Sequence, residues 1–120
     1  MIRAIHHVQL AMPPGQGAEA EAFYAGLLGV PRVRKPRHLE RRGGCWFRSA
    51  EVEIHLGIDD QFVPARKAHP AFLVDDLTGL RDRLTAAGVP VVLDEPPPGY
   101  DRFYTSDPFG NRIEILSPRP

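Results

Sequence analysis

Leu28-Gly29-Val30-Pro31 returns 59 positions later as Ala87-Gly88-Val89-Pro90, and the reading of the fold starts from this repeat. Each copy closes a stretch with helical spacing. Ala20, Phe23, Tyr24, Leu27 and Leu28 make the apolar stripe before the first copy, and Leu77, Leu80, Leu84 and Ala87 the stripe before the second. The glycine accepts the left-handed conformation that ends a helix, and the proline beyond it cannot continue one. Before each helix the pattern alternates as a strand does, over residues 4–12 and 69–74. After each helix come further strands, at 45–49 and 52–57 in the first half and at 91–93, 102–105 and 112–116 in the second. Asp76 is placed to cap the second helix. A helix follows only the first strand of each half, which predicts an α+β chain of two tandem βαβββ modules, not a doubly wound sheet. One domain over residues 1–120 is expected, with module one about 1–62, module two about 66–120, and a short Pro64–Lys67 connection between them.

The composition narrows the function. Fifteen basic and fifteen acidic residues cancel, so electrostatic capture of nucleic acid or of an anionic membrane is not expected. No apolar run approaches the roughly 20 residues of a membrane span, and no signal-peptide pattern opens the sequence. A single cysteine, Cys45, rules out an intrachain disulfide and fits a reducing cytoplasm. Cys45 alternates in phase with Phe47 and reads as a buried thiol. The basic run Arg32, Arg34, Lys35, Arg37, Arg41 and Arg42 reads as a solvated loop, or as a rim that attracts an anionic substrate. No phosphate-binding glycine loop, nucleophile elbow or Cys-x-x-Cys pair occurs.

Alternation decides which polar side chains can converge. In the first strand His7, Gln9 and Ala11 share a face, with His6 pointing the other way. In strand 52–57, Glu53 and His55 oppose Val52, Ile54 and Leu56; in the last strand, Arg112 and Glu114 oppose Ile113 and Ile115. The apolar faces must pack under the helices. The polar faces then line a concavity holding His7, His55, His69 and Glu114. His55 and Glu114 are separated by the same 59-residue step, which favours His55 over its neighbour Glu53. Three imidazoles and a carboxylate suit one divalent transition metal and leave positions open for substrate. An internal alignment sets Trp46 against Arg102 and Arg48 against Tyr104, and these four are expected in the pocket wall. Arg48 or Arg102 would hold a carboxylate or phosphate, and Trp46 would stack on a ligand.

These motifs resemble the vicinal oxygen chelate superfamily, which includes glyoxalases, fosfomycin-resistance thiol transferases, extradiol dioxygenases and bleomycin-resistance proteins. The matching elements are His7 before Val8-Gln9-Leu10, Phe23-Tyr24 with Leu27-Leu28-Gly29-Val30, His69-Pro70-Ala71-Phe72-Leu73-Val74, and Phe103-Tyr104 with Asp107-Pro108-Phe109-Gly110-Asn111-Arg112-Ile113-Glu114. The resemblance implies curved mixed sheets that form a cup around a central metal: zinc, nickel, manganese, iron or cobalt. It places His7, His69 and Glu114 on ligand positions, with His55 where glyoxalases carry a glutamate. It places Tyr104 beside metal and substrate, which with Glu114 makes the expected catalytic pair; Arg48, Trp46, Arg102 and Gln9 are the expected substrate contacts. The expected function is metal-dependent chemistry of the lyase, isomerase, transferase or oxygenase type on a small oxygenated metabolite or xenobiotic. The alternative is a metal-free protein that sequesters a drug or metabolite. A homodimer is expected in either case.

Overall fold

The computed structural model describes all of Met1–Pro120, which divide into two compact units, Met1–Val63 and Pro64–Pro120. Each unit is a βαβββ module with one four-stranded mixed sheet. The first module runs β1 (Val8–Met12), α1 (Gly17–Glu21) continued by a π-helical segment (Ala22–Leu27), β2 (Arg32–Val33), a 3-10 turn (Arg37–Arg42), β3 (Cys45–Ser49) and β4 (Val52–Ile58). The second runs β5 (Ala71–Leu73), α2 (Leu77–Ala86), β6 (Val91–Leu93), β7 (Tyr100–Ser106) and β8 (Arg112–Pro118). Strand order is β1-β4-β3-β2 in one sheet and β5-β8-β7-β6 in the other. In both, the first strand pairs parallel to the last and the other pairs are antiparallel. The chain is therefore α+β, and the same unit is built twice. No helix is long and apolar enough to cross a membrane.

The helix ends explain the repeated motif. Gly29 and Gly88 take φ of 75° and 76°, the left-handed conformation that only glycine adopts without strain. After α2 the Val89 amide donates to the Leu84 carbonyl and the Gly88 amide to Thr85, which satisfies carbonyls the helix leaves open. At its start the Asp76 side chain accepts from the Gly79 amide at 2.9 Å, so the predicted N-cap is present. The first helix departs from a regular pattern. Its π segment admits an extra residue per turn, and the Leu28 amide donates to the Phe23 carbonyl. Consecutive Phe23 and Tyr24 can thus both be buried, edge to face with centroids 5.0 Å apart.

Each sheet hides one face under its helix. In the first module Cys45, Phe47, Ile54 and Leu56 are buried with Met12, Ala20, Phe23 and Tyr24; in the second Phe103, Ile113 and Ile115 are buried with Leu84. Burial raises the pKa of the Cys45 thiol, as a core position requires. Several strand limits differ from the sequence expectation. The first strand begins at Val8, not residue 4, and β5 covers only 71–73. The basic stretch is not a plain loop, because it contains β2 and the 3-10 turn. Gly44 is fixed there by geometry: at φ 84° its Cβ position lies 2.1 Å from the Leu56 carbonyl oxygen.

Candidate functional site

The face of each sheet opposite its core carries the polar residues. In the first module Trp46 and His55 are cross-strand partners, and their rings stack at 3.9 Å with only 2° between planes. His7 stacks on His55 at 4.1 Å and 20°. Trp46, His55 and His7 are therefore linked by two consecutive ring stacks. His55 Nε2 donates to Glu53 Oε2 at 2.8 Å, and Arg48 Nη1 stands 4.0 Å from Glu53 Oε1. The bond from His55 holds the Glu53 carboxyl below its ordinary range. Burial lowers the pKa of His55 itself, against the opposing pull of Glu53. Gln9 is paired in register with His55, and its amide nitrogen lies 2.8 Å from where a Cβ on Gly57 would sit.

His6 stands differently from its sequence assignment. Residues before Val8 are outside the strand, so alternation does not separate the two histidines. His6 Nδ1 is 2.8 Å from His7 Nδ1. The pairing of Trp46 also corrects the internal alignment. Trp46 opposes His55 as Tyr104 opposes Glu114, so Tyr104, not Arg102, is its counterpart. The connection 50–51 in the first module is shorter than 107–111 in the second, and this shifts the match.

That longer connection is built by Asp107. Its Oδ1 accepts from the amides of Phe109 and Asn111, each at 2.9 Å, and its Oδ2 from the Asn111 side chain at 2.8 Å. The turn sets the β7–β8 register that places Tyr104 across from Glu114. Around Glu114 the second module gathers His69, Arg102 and Tyr104. His69 Nδ1 donates to the Lys67 carbonyl at 2.7 Å, which leaves Nε2 facing Glu114 Oε1 at 3.0 Å. Arg102 Nη1 donates to Glu114 Oε2 at 3.2 Å and Nη2 to Asp94 at 3.5 Å, with a further bond to the Glu95 carbonyl. Its Nε is buried without a partner. Burial would raise the Glu114 pKa, but the bonds from His69 and Arg102 outweigh it and hold the carboxyl below its ordinary value. Tyr104 meets His69 edge-on at 5.4 Å and is covered by the Arg112 guanidinium at 4.0 Å.

The donors fit a transition metal. Once Nδ1–H is committed to Lys67, Nε2 of His69 is the ring nitrogen that faces the Glu114 carboxylate, as a donor when protonated and as an acceptor otherwise. Two such acceptors 3.0 Å apart require a cation between them, a proton or a metal ion. Two ligands held about 2.0–2.2 Å from one first-row ion at a right angle stand about 3 Å apart. Sequence alternation missed Arg102 as the partner of Glu114 and Arg112 as the cover of Tyr104. Long side chains reach across positions that periodicity treats as separate.

Hollows border these faces. One of about 510 Å³ in the first module is lined by Arg34, Lys35, Arg37, Trp46 and Arg48 among others. One of about 440 Å³ in the second is lined by Tyr104, Thr105, Arg112 and Leu93 among others.

The sequence profile of the Glyoxalase/Bleomycin resistance protein/Dioxygenase superfamily matches residues 4–115. The chain belongs to this superfamily. A crystal structure of a protein described as a glyoxalase family member from Bacillus anthracis is 44% identical, with a TM-score of 0.93 over 99% of this chain and 98% of that one. The genomically encoded fosfomycin resistance protein FosX from Listeria monocytogenes superposes with a TM-score of 0.78 at 18% identity, covering 99% and 96%. TnmS3, an antibiotic binding protein from Streptomyces sp. CB03234, does so with 0.73 at 21%, covering 99% and 100%. At these last two identities the likeness is one of fold. No curated protein matches the sequence. The fold so sampled is shared by a resistance protein and a binding protein, so function must be argued from the side chains.

Acid should weaken the fold in two steps. His55 has a folded pKa below its ordinary 6.5, so the unfolded chain binds its proton more readily, and the associated stability is present above about pH 6.5 and lost as pH falls. Glu53 and Glu114, held below 4.5, add stability that is present above that value and lost through their lower folded values. Denaturant midpoints measured in chelator from pH 8 to pH 3 are expected to decline in both windows. In His55→Phe the upper step should vanish; if it persists unchanged, another group causes it.

Proposed function

We propose that this protein is a metal-dependent enzyme of its superfamily, acting on a small oxygenated metabolite or xenobiotic. The observation that carries the reading is the 3.0 Å approach of His69 Nε2 to Glu114 Oε1, with the far side of the ring fixed on a backbone carbonyl. The proposed donors are His7, His55, His69 and Glu114, the set implied by the resemblance, for one divalent ion such as zinc, nickel, manganese, iron or cobalt. When bound, such an ion supplies a Lewis acid that stabilises negative charge on a substrate oxygen.

The protein's own residues do the rest. Glu114 is held ionised by its two partners and offers a carboxylate at neutral pH. Tyr104, fixed between His69 and Arg112, directs its hydroxyl to a substrate oxygen. Arg48 and Trp46, on the wall of the basic hollow, take an anionic group and a flat apolar body respectively. Arg102 keeps Glu114 in place, and Gln9 beside Gly57 leaves an amide for a polar substrate atom. A cytoplasmic homodimer is the proposed working form.

One observation favours the alternative, a metal-free binding protein. Both oxygens of Glu114 already have cationic or hydrogen-bonding partners, so the second module can stay neutralised without an ion. Metal analysis of untagged protein separates the readings. Near-stoichiometric divalent metal is expected in the wild type, falling at least about 10-fold in His7→Ala. Wild-type protein that takes up no divalent ion at micromolar concentration would replace the enzyme reading with the binding one.

A further inference from the structure

We infer that the first module contains a cation site of its own, formed by His6, His7 and Glu53, with His55 as the residue that positions the carboxylate. This rests on the metal-dependent reading only in sharing His7 and His55 with it, His55 here as a positioning residue and not a donor.

The ligand atoms of His6, His7 and Glu53 all lie within 4.8 Å of one another. The two Nδ1 atoms are 2.8 Å apart, close to the roughly 3 Å that separates adjacent donors on one first-row ion. At that distance two imidazole nitrogens either share a proton or face a common cation. Glu53 supplies the negative charge and keeps capacity to spare. Its Oε2 accepts from His55, while Oε1 has only Arg48 at 4.0 Å. Two neutral imidazoles and a carboxylate match zinc, cobalt or nickel better than the all-oxygen preferences of calcium and magnesium.

The surroundings have the form of a second coordination shell. His55 is buried, stacked on Trp46 and on His7, and its Nε2–H fixes the orientation of the Glu53 carboxylate. The same ring therefore steadies two of the three donors. With its Nε2 committed to Glu53, His55 acts on the ion through Glu53 and His7. His6 and His7 are exposed, so their rings can turn to close separations that reach up to 4.8 Å, and the open side is left to water or a substrate oxygen. A site made by three side chains of one module binds more weakly than one with further donors, and exchanges with the medium.

The probe is Co2+ alone, followed by its visible absorption during titration of the full chain. Protein carrying H69A and E114Q together, which lacks the second module's donors, is expected to take up one equivalent. Adding H6A or E53Q to that protein should weaken uptake at least about 10-fold. No uptake by H69A/E114Q, in conditions where wild type binds, overturns the inference and leaves the four-donor reading standing. Uptake by H69A/E114Q that ignores both H6A and E53Q overturns it as well. Equal affinity in wild type and H69A/E114Q, lost with H6A, supports the inference and ends the four-donor reading. Because His6 is exposed, H6A is not expected to endanger folding. A second readout is spectroscopic: Zn2+ added to H69A/E114Q should shift the ring 15N resonances of His6, and unshifted resonances at saturation would also overturn the site.

Discussion

Phe103→Ala is expected to cost about 3–5 kcal/mol, the range for truncating a buried phenylalanine. Phe103 is 0% exposed, on the central strand pair of its sheet, with Leu93 opposite on β6 and Ile115 opposite on β8. Alternate β8 residues Ile113 and Ile115 are also buried, as is Leu84 of α2. Strands hydrogen-bonded on both sides cannot slide inward to fill the space, so most of the cavity remains and adds its cost to the lost transfer energy. A 120-residue chain has in total about 6–18 kcal/mol of stability. The substitution thus removes a large share of it, and the melting temperature should fall by about 10–25 °C. Leu93→Ala is the contrast. Leu93 is 70% exposed, and its loss should change stability by no more than about 0.5 kcal/mol. Urea denaturation of the two variants measures the difference. Similar midpoints for both would mean that the buried face of the second sheet is not the core described above.

What could be read in advance followed from interactions local in sequence. The Gly29 and Gly88 stops, the Asp76 cap and the strand 45–49 depend on a few neighbouring residues, and each is present as expected. Alternation placed Ile54 and Leu56 inward because β4 is regular throughout. It failed where regularity ends. His6 was set opposite His7 on the assumption of a strand from residue 4 that in fact starts at Val8. The π segment was invisible because Phe23 and Tyr24 fit a helical stripe well enough, while the backbone changed its pitch to bury both. The match of Trp46 to Arg102 failed for a different reason: turn length shifts register, and no periodicity within a strand reveals it. The grip of Arg102 on Glu114 joins residues 12 apart on adjacent strands, a distance set by pairing and by the reach of a long side chain.

Glu114→Ala is expected to lower the affinity for divalent metal by more than about 100-fold, beyond the 10–100-fold typical of losing a partner in the outer shell. What is left should be the weaker uptake of the first module. Glu114 contributes the charge and one donor atom, and it also orients His69 through the contact with Nε2. Glu114→Gln divides these roles. The amide preserves shape but cannot neutralise the adjacent Arg102, which then repels an incoming cation. Its affinity should therefore fall nearly as far as in the alanine variant. Arg102→Met separates the two functional readings, since it frees Oε2 and removes a positive charge from the carboxylate. If Glu114 serves a metal, affinity for Co2+ in Arg102→Met should hold or rise, because the full charge of the carboxylate becomes available. If the second module instead binds an anionic ligand without metal, Arg102→Met should abolish that binding and leave only the cobalt uptake of the first module, unchanged. Equilibrium titration of these three proteins decides it, and wild-type cobalt affinity in Glu114→Ala would remove Glu114 from the metal site.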